Sequence, residues 1–76
     1  MKNKVRVKIK DPHTVMHYRG YPVSILEMNE WCVENIGPKN LSWTLDYNDR
    51  YPLAVYSFNT EEDQMAFILV NSQFCL

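Results

Sequence analysis

Two glycines and two cysteines in 76 residues are too few for several kinds of chemistry. Gly20 and Gly37 stand far apart, so there is no glycine-rich loop to cradle a phosphate and no GxGxxG or GxSxG turn. Cys32 and Cys75 lack the CxxC spacing of zinc and dithiol motifs. A single pair is also sparse for a disulfide-framed secreted module, so both read as small buried hydrophobes. Long apolar runs are missing too: Met65–Val70 is six residues, against the roughly 20 that cross a bilayer. The start MKNKVRVKIK has no apolar signal core behind its charges. These absences lead us to expect a cytoplasmic chain without membrane contact, folded as a single domain over residues 1–76. Cations are scarce in the second half, where Arg50 is the last. Residues 1–40 carry seven cations and four anions, and residues 41–76 carry one and five. Such a bipolar chain argues against a simple polyanion binder and suits protein partners of either sign.

What is present is regular patterning. Lys2, Lys4, Arg6, Lys8 and Lys10 alternate with Val5, Val7 and Ile9, which predicts a half-buried strand ended by Asp11-Pro12. Residues 13–23 lack a period, and Gly20 and Pro22 mark them as a loop. Ser24 and Glu27 have the spacing of a capping box, and Gly37-Pro38 forms a stop, so a helix is expected between them. On that helix Ile25, Met28, Cys32 and Ile36 share one face, with Glu27, Glu30 and Glu34 opposite and Trp31 at the margin. Leu41, Trp43, Leu45 and Tyr47 alternate with polar residues. After Asn48-Asp49-Arg50 and Pro52, the run Leu53–Phe58 completes a hairpin. Asn59 or Thr60 caps a second helix, with Glu61, Glu62 and Asp63 in its first turn. Its continuation MAFILV is apolar in every direction, so one face cannot bury it all.

The order strand, helix, strand, strand, helix, with a short strand expected at Gln73–Leu76, predicts an α+β fold of the ferredoxin-like, split β-α-β kind. In such a fold two helices cover one face of an antiparallel sheet. A short fourth strand would leave an edge of the first strand unpaired, either defended by its lysines or used for β-augmentation.

No constellation for catalysis emerges. His13 and His17 are four apart, yet Pro12 and Gly20 speak against a helix there and no third ligand is near, so no metal site is read. The glutamate stripe lacks the apolar pocket that would raise a carboxylate for acid work. We therefore expect no enzyme, no metal and no cofactor. For nucleic acid, Tyr56 and Phe58 have the two-apart spacing of base-stacking aromatics, and Lys4, Arg6, Lys8 and Lys10 would lie beside them if all shared the open sheet face. The glycine-and-lysine context of that motif is absent, which makes single-stranded nucleic acid the alternative reading. Ten aromatics favour a protein partner. Trp31 at a helix margin, Tyr18 and Tyr21 in a loop, Tyr51 beside a turn, and Phe67 and Val70 on the all-round apolar helix are the candidate contact residues.

The succession Trp31-Cys32, Gly37-Pro38, Trp43, Phe58, Glu61-Glu62-Asp63 and Phe67, over roughly the last 45 residues, resembles a pattern in short uncharacterised proteins of tailed bacteriophages. That resemblance implies a viral accessory protein, a class in which many members bind and block host enzymes or defence proteins. It assigns no residue a role. The reading is thus a non-catalytic module that inhibits a host protein by occlusion, with a structural or self-assembling virion subunit, including a homodimer, as the further alternative.

Overall fold

Alternation sets the sheet. In the computed structural model, which describes residues 2–8, 17–18, 21–48 and 53–75, β1 (Asn3–Lys8) buries Val5 and Val7 and exposes Lys4, Arg6 and Lys8. Strands β2 (His17–Tyr18) and β3 (Tyr21–Pro22) form a two-residue antiparallel ribbon where the sequence predicts only loop. Two residues per strand are too few to display a period. Helix α1 (Val23–Asn35) leads directly out of β3. The capping box expected at Ser24 is therefore not formed: Pro22 occupies the cap, no side chain bonds the first amides, and Ser24 already lies inside the first turn. The apolar face agrees with the helical spacing. Ile25, Met28 and Cys32 are buried, and Glu27, Glu30 and Glu34 are exposed.

Gly37 ends α1 at φ 144°, a backbone region other side chains avoid. A Cβ there would also stand 2.6 Å from Ser42 Oγ. The same peptide anchors the next strand, because Trp43 Nε1 donates to the Gly37 carbonyl at 2.8 Å. Leu41, expected to begin that strand, instead sits exposed in a turn. The amides of Leu41 and Ser42 both bond back to Pro38 O, so β4 starts at Trp43 and runs to Asn48.

Strand β5 (Leu53–Phe58) lies between β1 and β4, antiparallel to both. Register aligns Asn3, Phe58 and Trp43; Val5, Tyr56 and Leu45; and Val7, Ala54 and Tyr47. These nine share one face of the sheet, the one whose Val5, Val7, Trp43, Ala54, Tyr56 and Phe58 belong to the core. The opposite face carries Lys4, Arg6 and Lys8 on β1, Ser57, Val55 and Leu53 on β5, and Thr44 and Asp46 on β4. The fold is α+β, with a three-stranded antiparallel sheet and two helices. Helix α2 (Glu61–Asn71) starts as predicted: Thr60 Oγ1 accepts the Asp63 amide at 3.1 Å, and Glu61, Glu62 and Asp63 fill the first turn. A 3₁₀ turn, Ser72–Phe74, follows. The strand expected at Gln73–Leu76 is thereby reduced to a single antiparallel bridge between Cys75 and Val7.

Candidate docking surface

Phe67 fixes how α2 is oriented. Its ring lies 4.8 Å from that of Tyr56, 5.2 Å from Phe58 and 5.9 Å, edge-on, from Trp31, an aromatic cluster that joins both helices to the sheet. Gln64 Nε2 donates to Lys4 O at 3.0 Å, tying one flank of α2 to the outer side of β1. Asn71, also buried, donates to the Phe67 carbonyl at 3.1 Å. At 100° per residue, Phe67 lies midway between Gln64 and Val70, so the flank bearing Val70 turns toward α1 and Trp31.

With that side pinned, Ile68 packs half-buried against the core and Met65, Leu69 and Val70 are left outward. Phe67 is 0% exposed, whereas Leu69 is 76%, Val70 53% and Met65 52% exposed. Met65 and Leu69, four apart, are neighbours on the outer surface. Half-buried Trp31 lies across the Phe67 ring from α1. Glu61 and Glu62 rim the helix's first turn. The result is a greasy ridge with an acidic end, unlike the solvated face of an ordinary amphipathic helix.

The structure separates the predicted contact residues. Trp31 and Val70 keep surface, but Phe67 does not: it is core, enclosed by three rings, and supports the ridge from beneath. Tyr18 and Tyr21 are placed by their backbones alone in the β2–β3 ribbon. Tyr51, Lys10 and His13 lie outside the described residues. Met65 and Leu69 were not among the sequence candidates. A helical phase anchored on Phe67 would have found them, since both lie on the far side of the helix from it.

The nucleic-acid constellation is not assembled. Lys4, Arg6 and Lys8 are exposed on one face of the sheet, whereas Tyr56 and Phe58 are fully buried on the other. Strand parity forces this: residues 54, 56 and 58 point into the core, so neither ring can stack a base beside the cations. The outer side of β1 is not a free edge either, because Gln64 bonds Lys4 O and Cys75 bridges Val7.

The buried polar groups serve the fold. Tyr56 Oη donates to Asn29 Oδ1 at 2.6 Å, with the Ile25 carbonyl a second acceptor at 3.4 Å. Burial raises that phenol's pKa, and the nearby Cys32 adds to the rise. Burial also pushes the Cys32 thiol up to about 12, which keeps it neutral and poorly nucleophilic. Cys75 is raised by burial too, and its Sγ donates to Asn71 O at 3.3 Å. Among the described residues no group of three or more His, Cys, Asp or Glu could hold a metal, and no helix is long and apolar enough to cross a membrane. No family model, curated protein or solved structure matches the chain.

Proposed function

We propose that this chain is a non-catalytic protein-docking module, a virus-encoded inhibitor that acts in the host cytoplasm by covering part of a folded host protein. The observation that carries this reading is the exposure of Met65, Leu69 and Val70 on a helix whose buried side is already filled by Phe67. Exposed apolar side chains on adjacent turns are what a helix presents to a groove on a partner. The proposed partner offers an apolar groove with cations at one end to meet Glu61 and Glu62, and Trp31 supplies a large amphipathic anchor at its rim. The ferredoxin-like architecture belongs to the same proposal. It is supported by β1 and β4 running parallel with antiparallel β5 between them, and by Cys75 at Val7 as the remnant of a fourth strand.

The test is affinity capture from host lysate with wild type and with Met65→Glu/Leu69→Glu in parallel. A protein retained by the first and lost by the second, with the variant still folded, is the expected result. Equal capture by both would remove the α2 ridge from the mechanism.

A further inference from the structure

Away from the α2 ridge the described residues are two-sided in charge. The helices carry Glu27, Glu30, Glu34, Glu61, Glu62 and Asp63 and no lysine or arginine. The sheet's other face carries Lys4, Arg6 and Lys8 against Asp46. All four of those side chains are exposed, and no described element covers them. A depression of about 660 Å³ runs from this face to the β1 edge, with Lys4, Arg6 and Asp46 in its wall together with Val5, Ile68 of α2 and Cys75.

We propose that this sheet face seats the outer side of α1 from a second copy of the chain, Lys4, Arg6 and Lys8 meeting Glu27, Glu30 and Glu34. The dimensions agree. Three alternate strand residues span roughly 13 Å, while positions i, i+3 and i+7 of a helix span roughly 10 Å along its axis. Flexible cationic stems cover the difference. Three strands are roughly 14 Å across, enough for one helix of roughly 10 Å diameter. The contact also has an apolar middle. Val55 and Leu53, half-buried, lie between the cationic row and β4, and Val33, 56% exposed on α1, sits beside Glu30 and Glu34.

A net charge of −1 sets little repulsion against such pairing. The two surfaces lie on opposite sides of a two-layer molecule, so the contact is heterologous and copies add head to tail. Nucleic acid is the less favoured occupant, because Asp46 shares the face and the stacking aromatics do not. This inference is independent of the docking role of α2.

Sedimentation velocity of the full chain over a concentration series, at about 0.02 M and about 0.5 M salt, is the experiment. Mass should rise with concentration in low salt, and the association should weaken by about tenfold or more in high salt. Lys4→Glu/Arg6→Glu/Lys8→Glu alone and Glu27→Lys/Glu30→Lys/Glu34→Lys alone should each sediment near 9.0 kDa. Mixing the two should restore association, since each reversed face meets its new complement. Should the triple reversal fail to fold, Lys4→Gln/Arg6→Gln/Lys8→Gln provides the same loss. Met65→Glu/Leu69→Glu should leave the salt-sensitive association intact. A concentration-independent monomer in low salt would overturn the proposal, as would a mixture that stays monomeric. So would salt-dependent retention of a single-stranded oligonucleotide, lost with the three cations, without any self-association.

Discussion

The two helices treat water in opposite ways. Helix α1 buries Ile25, Met28 and Cys32 and turns Glu27, Glu30 and Glu34 outward. Helix α2 buries Phe67 and turns Met65 and Leu69 outward. An exposed leucine costs its own fold little but offers area to another molecule, with each buried CH₂ contributing about 0.8 kcal/mol. The contrast is that α1 turns mainly carboxylates to water where α2 turns apolar side chains.

The sharpest way to break this contrast is within α2 itself. Phe67→Ala should cost about 3–5 kcal/mol in urea unfolding, as large-to-small changes in packed aromatic cores do. Leu69→Ala, two residues away, should stay within about 0.5 kcal/mol. Comparable losses at both positions would mean the ridge is core after all. Within α1 the next largest effect is on pH dependence. Cys32 has its folded pKa raised from 9.0 to about 12, so between these values the unfolded chain has released its proton and the native chain retains it. Stability should be full below about pH 9 and fall as pH rises, by no more than about 1.4 kcal/mol per pH unit from this group. Cys32→Ala should flatten the slope. A slope unchanged by the substitution would show that Cys32 does not carry it.

Tyr56→Phe removes the 2.6 Å bond to Asn29 and should cost about 1–2 kcal/mol, because the amide beneath α1 loses its partner. A neutral result would mean water replaces the phenol. Smallest of all should be Glu30→Leu on the outer side of α1, within about 0.5 kcal/mol of wild type. It gives α1 a greasy position like that of α2, and should not transfer partner capture to α1.

Much of this architecture can be read from residue order, and the exceptions have physical causes. The β1 alternation and the α1 stripe are legible because polar and apolar residues separate cleanly by period. The inward face of β5 is not: LAVYSF has apolar residues at both parities, and its phase is set by pairing with Val5 and Leu45 across the sheet. The phase of α2 is hidden for the same reason, since six apolar residues carry no moment. Distant partners choose it, Gln64 at Lys4 O and Phe67 among three rings. Ser24 reads as a cap because the local motif is sound, but β3 delivers the chain into the helix two residues earlier, with Pro22 at the cap. Of the surface we propose for docking, Trp31 and Val70 are among the residues the sequence singles out. Met65 and Leu69 needed the tertiary anchor.

The most direct measurement pairs two numbers on one variant: the unfolding free energy of Met65→Glu/Leu69→Glu, and its affinity for the protein captured by wild type. The docking account predicts stability within about 1 kcal/mol of wild type and binding weakened by about 100-fold or more. A variant that binds as tightly as wild type, or one that unfolds because those two side chains hold the domain together, would contradict it.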